Sequence, residues 1–139
     1  MSSRKPRTLS TDDYARLAAF RQAMRGFLHF SEEAAAQAGL TGRHYQALLV
    51  LRGWPQGGAP TIADLAQQLY LKHNSTVGLV DRLAAEGLVT RRPSIVDRRK
   101  VEVRLTAKGV KVLARLAGRH REELKRIGPE LERFFHELT

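Results

Sequence analysis

Between residues 61 and 105, two short apolar-faced segments, a glycine stop and a pair of alternating segments follow one another with almost no spare chain. Few folds satisfy that order. Thr61 with Asp64 three residues later has capping-box spacing, and Ile62, Leu65, Ala66 and Leu69 then recur at helical intervals. After "YLKHN" a second helix is predicted from Asn74 or Ser75 to Gly87, a glycine suited to the position just past a helix end. Two short helices joined this tightly form a helix-turn-helix. "LVTRRPS" then alternates weakly, while "VEVRLTA" alternates clearly, with Val101, Val103 and Leu105 on one face and Glu102 and Arg104 on the other. The charged loop "IVDRRK" joins them, so the two helices lead into a β-wing tipped by Arg98, Arg99 and Lys100.

The flanks are helical. Asp12 and Asp13 after Thr11 suit a first turn, and Tyr14, Leu17, Phe20, Met24, Phe27, Leu28, Ala34, Ala35 and Ala38 recur at threes and fours up to Gly39. A second helix is predicted from about Thr41 to Arg52, ended by "GWPQGGAP". From Thr106 a long helix carries Val110, Leu113, Leu116, His120, Leu124 and Ile127 on one stripe. Gly128-Pro129 is expected to break it, leaving Leu131, Phe134, Phe135 and Leu138 on a short terminal helix. The expected fold class is mainly α: a winged helix-turn-helix with a two-stranded β-wing and a helical dimerisation region from the first and last two helices. Residues 1–10 read as a disordered basic arm, 11–39 and 106–139 as the dimerisation region, and 40–105 as the winged helix-turn-helix.

Charge says what such a chain meets. Lys and Arg number 24 against 14 Asp and Glu, a formal net charge of +10 on 139 residues. The excess is local. Residues 91–104 hold six bases (Arg91, Arg92, Arg98, Arg99, Lys100, Arg104) and two acids (Asp97, Glu102), whereas the bases and acids of 111–139 nearly balance. A concentrated basic element on a near-neutral scaffold implies a polyanionic partner. The absence of cysteine excludes disulfides, thiol redox sensing, Cys-ligated zinc and Cys nucleophiles. No apolar run approaches the ~20 residues that cross a bilayer, so a cytoplasmic protein without a membrane partner is expected.

On the second short helix, Thr76, Val77, Val80, Leu83 and Ala84 fall on one side at 100° per residue, and Asn74, Ser75, Gly78, Arg82 and Ala85 on the other. The outer face is small and polar with one long base, which suits close entry to a major groove where Asn and Arg pair with base edges. Thr76 lies on the core side of that division and is still counted as a candidate recognition residue with Asn74, Ser75, Gly78 and Arg82. At the wing tip, an arginine fits the enhanced negative potential of a narrow minor groove. Asp97, out of place in a phosphate-binding loop, makes sense as the group that orients that arginine.

"DRRKVEVRLTAKG" is similar to the wing signature of the MarR family of bacterial transcription regulators, Asp-x-Arg followed by a strand, Leu-Thr-x-x-Gly and a helix. "STVGLVDRLAAEGLVTRR", "TIADLAQQLYL" and "LTGRHYQALLVLRG" also resemble that family, over about residues 12–139. The resemblance implies that Arg99 enters the minor groove held by Asp97, that Arg98 lies alongside it toward phosphate, and that Asn74, Ser75, Gly78 and Arg82 lie in the major groove. It further implies an obligate homodimer on a pseudo-palindromic site in double-stranded DNA. Its interface would include Tyr14, Leu17, Leu124, Ile127, Leu131, Phe134, Phe135 and Leu138, whose apolar stripes exceed what one small domain buries. The expected function is a sequence-specific regulator, a repressor by preference.

Family members also respond to small aromatic or anionic ligands. Phe27, Phe30, His44, Tyr45 and Trp54 are the residues here that such a pocket would use, although aromatics at helical spacing also serve as core. No cofactor is expected, and the identity of any effector is open. His29 with Glu32 and Glu33, and His120 with Glu123, have spacings that place two metal ligands on one helical face, but solvated His–Glu pairs account for them. A metal-responsive regulator and an architectural, shape-reading DNA-binding protein stand as alternatives. No catalytic residues are assigned, since GxSxG, HExxH, a phosphate-binding glycine loop and a Cys–His pair are all lacking.

Overall fold

The computed structural model describes residues 8–55 and 58–137. Most of the expected basic arm (1–7) and the interface residue Leu138 lie outside the described residues. The element order is α1 (Thr11–Gln37), α2 (Gly42–Arg52), α3 (Ile62–Leu69), α4 (His73–Ala85), β1 (Val89–Pro93), β2 (Val101–Leu105) and α5 (Ala107–Glu137).

Local chemistry sets most of these boundaries. Three helices open on reciprocal capping boxes: Ser10 with Asp13, Thr41 with His44, and Thr61 with Asp64. α1 begins at Thr11 as expected, and Ser10 just before it supplies the capping hydroxyl. Gly39 and Gly87 adopt positive φ of 73° and 74°, the left-handed conformation that lets the chain leave α1 and α4. The N–H groups of Leu40 and Leu88 then bond back to the carbonyls of Ala35 and Leu83.

The strands pair antiparallel with Val89 opposite Leu105 and Pro93 opposite Val101. On β2 Val103 is fully buried and Arg104 exposed as expected, but Val101 is exposed and Glu102 half-buried, so the expected alternation fails at the start of the strand. A feature not anticipated is an isolated antiparallel bridge from Thr61 to Glu102, with the Val103 N–H donating to the Pro60 carbonyl at 2.9 Å. The segment entering α3 is thereby fastened to the wing. Beneath α2–α4 and the wing, Leu48, Leu65, Val80, Leu83 and Val103 form the centre of the core.

α5 starts at a close junction. Thr106 donates from its hydroxyl to the Gly87 carbonyl at 2.6 Å and accepts the Gly109 N–H at 3.0 Å. Gly109 sits against Leu88, where a Cβ would stand 2.1 Å from the carbonyl oxygen. The Leu-Thr-x-x-Gly run therefore has a steric meaning: the threonine ties the helix start to the end of α4, and the glycine permits the approach.

The expected break at Gly128-Pro129 does not occur. α5 continues through Pro129 to Glu137, so the helical region is built from the first helix and a single last one. Proline in a helix interior removes one hydrogen bond and costs about 3 kcal/mol or more. Packing against α1 offsets that cost. Phe20 meets Phe134 and Phe135 edge-on with ring centroids 5.9 and 5.8 Å apart, and Arg16 lies 3.5 Å from Glu137. The outer stripe remains uncovered in the single chain: Tyr14, Leu17, Leu124 and Phe135 are exposed, while Ile127, Leu131 and Phe134 are half-buried. No helix among the described residues is long and apolar enough to cross a membrane.

Candidate nucleic-acid interface

α4 begins at His73, one residue before the predicted start, with Lys72 as an N-cap that offers no side-chain hydrogen bond. The Thr76 hydroxyl donates to the Lys72 carbonyl at 3.0 Å, which satisfies that hydroxyl but caps no free N–H group. Thr76 is fully buried, which removes it from the candidate recognition residues. The cause is geometric, since position 76 shares the helix face of Val80 and Leu83. Asn74, Ser75, Gly78 and Arg82 are all exposed, as the helical wheel requires. Gly78 has nothing within 4 Å of the position a Cβ would take, so its smallness serves no packing need inside the chain.

Arg82 differs from its neighbours on this face. Its guanidinium lies 3.5 Å from Glu86 and donates to the Gly39 carbonyl at 3.4 Å, bridging α4 to the end of α1. It therefore carries intramolecular contacts as well as an exposed position.

The wing tip is more ordered than a charged turn requires. The backbone N–H of Arg99 donates to Asp97 Oδ1 at 3.1 Å, its Nε to the same oxygen at 3.2 Å, and its Nη2 to Oδ2 at 3.4 Å. These hydrogen bonds, the side-chain ones foremost, hold the Asp97 carboxyl below the usual carboxylate range. The guanidinium stays 91% exposed, fixed at one edge and open at the other. Arg98 and Lys100 are exposed beside it.

The wing is also tied to α4. Arg91 on β1 forms an ion pair with Asp81 on α4. The pairing is not legible in the sequence, because the two residues lie ten apart across the Gly87 turn that leads from α4 into β1. Arg91, Arg99 and Lys100 share a cleft of about 250 Å³ with His73 and Val77, so the first turn of α4 and the wing tip form walls of one cavity. His73 is a further exposed residue that sequence reasoning passed over.

The residues expected around a ligand separate into groups. Phe27 and Phe30 pack edge-on against His120, and Tyr45 stacks on it at 3.9 Å between ring centroids. His120 is buried, with Nδ1 2.7 Å from the Leu116 carbonyl and Nε2 2.8 Å from the Ser31 hydroxyl. His44 is engaged in the α2 capping box, and Trp54 lies apart, lining a shallow depression with Leu49 and Gln68. His29 instead pairs with Glu33 at 3.1 Å on the exposed surface of α1. Thus His29 and His120, considered together for metal binding, have different surroundings, and no group of three ligating side chains occurs among the described residues.

Comparison with known proteins agrees with this arrangement. Residues 38–100 match the model of the MarR family. An uncharacterized HTH-type transcriptional regulator of Bacillus subtilis, YfiV, is 36% identical over 69 residues, which are 50% of this chain and 43% of YfiV. The matched region thus spans less than half the length of that relative. The fold is similar to that of AbsC, a MarR family transcriptional regulator from Streptomyces coelicolor, with TM-score 0.75 and 22% identity over 96% of this chain and 84% of that one. It is also similar to a variant of Staphylococcus aureus MepR bound to an oligodeoxyribonucleotide, with TM-score 0.67 and 20% identity over 91% and 98% of the respective chains. The MarR family match thus spans both the helix-turn-helix and the Asp97–Arg99 wing, and over that stretch the chain is similar to the MarR family.

Proposed function

We propose that this protein is a repressor that binds a pseudo-palindromic operator in double-stranded DNA as a homodimer. The observation that carries the reading is the shared cleft of α4 and the wing, which sets the exposed first turn of α4 beside the Asp97-held guanidinium of Arg99. A helix in the major groove and an arginine in the adjacent minor groove need that juxtaposition. The MepR variant of similar fold is bound to an oligodeoxyribonucleotide, which supports the same partner here. The uncovered stripe of Tyr14, Leu17, Leu124 and Phe135 supports a second copy as the other partner. In such a dimer the two copies of α4 would sit about 34–36 Å apart, one turn of DNA.

Release by a small aromatic or anionic ligand would act through half-site spacing, by favouring a dimer whose recognition helices no longer match the groove. A ligand among Phe27, Phe30 and Tyr45 would have to displace or rotate His120. Thermal-shift screening with phenolic acids, followed by gel shift of each hit, tests that part.

Selection of duplexes from a random pool and footprinting of the winners tests the function itself. A discrete two-fold protected site is expected. Uniform coating of every duplex would instead favour an architectural, shape-reading protein.

A further inference from the structure

Two aliphatic side chains occupy the outermost positions of the wing. Ile95 and Val96 are 94% and 96% exposed. Turns favour Gly, Pro, Asn, Asp and Ser, each for a backbone or hydrogen-bonding reason, and neither isoleucine nor valine offers one. Nor is the loop loose. The Ser94 N–H donates to the Lys100 carbonyl at 2.8 Å, the Lys100 N–H to the Asp97 carbonyl at 2.9 Å, and the Asp97 N–H to the buried Ser94 hydroxyl at 3.3 Å. This internal bonding fixes the hairpin end and leaves both aliphatics projecting from it. Both are β-branched and stiff at χ1, so they lose little freedom when a surface closes over them.

We infer that Ile95 and Val96 form an apolar wedge that enters the DNA minor groove alongside Arg99. Charge complementarity identifies the occupant. Arg98, Arg99 and Lys100 follow within four residues and draw the tip toward a polyanion, where exposed aliphatics on an uncharged loop would favour any apolar surface. The minor groove is narrow and walled by deoxyribose, and apolar side chains placed there shed water against the sugars or wedge between base steps. The division of labour is then specific: Arg99 meets the groove's negative potential, and Ile95 and Val96 supply contacts that neutralise no phosphate. The inference rests on the DNA-binding function proposed above.

The test compares wild type with the double variant Ile95→Ser, Val96→Ser on duplexes that wild type selects from a random-sequence pool. Full exposure of both positions predicts an unchanged melting temperature. The Kd should rise about tenfold, as expected for losing partial burial of two aliphatic side chains. The slope of log K against log salt should stay at its wild-type value, because no phosphate contact is removed. Hydroxyl-radical protection of the sugars under the wing should disappear while protection by α4 persists. An unchanged Kd, or a loss of affinity accompanied by a shallower salt slope, overturns the wedge and leaves the DNA-binding function standing. A smaller sedimentation coefficient for the variant without DNA overturns it as well, by assigning the tip to a protein contact. Failure of wild type to bind any duplex overturns the function and the wedge together.

Discussion

Arg99 and Asp97 form a closed pair at the wing tip, in which one carboxylate accepts the backbone N–H, the Nε and an Nη of the same arginine at 3.1, 3.2 and 3.4 Å. The chain spends an acid at the centre of its most basic surface to hold one guanidinium plane. Coulomb attraction to DNA alone would favour removing that acid, so Asp97→Ala separates positioning from net charge. Positioning predicts weaker operator binding by Asp97→Ala despite the added positive charge. Arg99→Ala should weaken binding further, by roughly 10- to 100-fold, with loss of A/T preference under the wing. Gel-shift titration of both variants on one selected duplex decides it, and tighter binding by Asp97→Ala would sink the positioning role.

Binding of the wild-type protein should fall steeply with salt. Each phosphate neutralised by Lys or Arg contributes about 0.9 to the log–log slope. Removal of one phosphate contact, expected for Arg98→Ala, should lower the slope by about that amount. Fluorescence anisotropy across a salt series measures it, and a flat dependence would contradict the DNA-binding role.

The junction of α5 with β1 should tolerate no side chain at position 109. A Cβ there would stand 2.1 Å from the Leu88 carbonyl oxygen and 3.2 Å from Leu105 Cδ2. The carbonyl belongs to backbone fixed by the Thr106 N–H at 3.0 Å, so the strain has little outlet. Gly109→Ala should therefore destabilise the fold by about 1–3 kcal/mol, as overpacking commonly does. Gly118→Ala, where nothing lies within 4 Å, is the control and should be neutral or slightly stabilising. Thermal melts of the two variants distinguish these outcomes.

His44 makes stability depend on pH. Burial, with the nearby Arg82 adding to it, lowers the His44 pKa from its ordinary 6.5. Its Nδ1 accepts the Thr41 N–H at 3.0 Å, a bond that needs the unprotonated nitrogen. The unfolded chain thus takes up the proton first, so the contribution is fully present above pH 6.5 and is lost as the pH falls from there through the folded value. His44→Gln keeps an acceptor at the capping position and cannot titrate. Its melting temperature should fall less than that of wild type between neutral and mildly acid pH. Parallel curves for the two proteins would exclude His44 as the source.

A dimer is expected in sedimentation at micromolar concentration. Tyr14→Asp with Leu17→Asp should yield a folded monomer, because both side chains are exposed in the single chain. That monomer should bind its operator far more weakly, having lost the second half-site. A wild-type protein that sediments as a monomer would refute the interface.

Much of this protein is legible locally. The period of the apolar residues locates every helix, and the Thr61–Asp64 spacing and the glycines at 39 and 87 set their ends, because caps and left-handed turns depend on neighbours within a few residues. The Asp97–Arg99 pairing is legible for the same reason, with its partners two residues apart. The helical wheel itself placed Thr76 toward the core, and its burial follows that geometry.

The first feature of the sequence, two short helices leading into a basic hairpin, therefore determined the fold class and the wing chemistry without help from tertiary structure. What it left undecided are relations between distant residues. Pro129 is a helix breaker by local rule, yet α5 runs through it because Phe20 on α1 packs against Phe134 and Phe135 beyond it. The Arg91–Asp81 pair, the Arg82 contact with Gly39, and the closure of Phe27, Phe30 and Tyr45 on His120 likewise depend on elements brought together from separate parts of the chain. Local energies fix how each segment begins and ends. Only packing decides which segments meet, and with that whether a broken helix stays broken and which face a reading arginine is left to present.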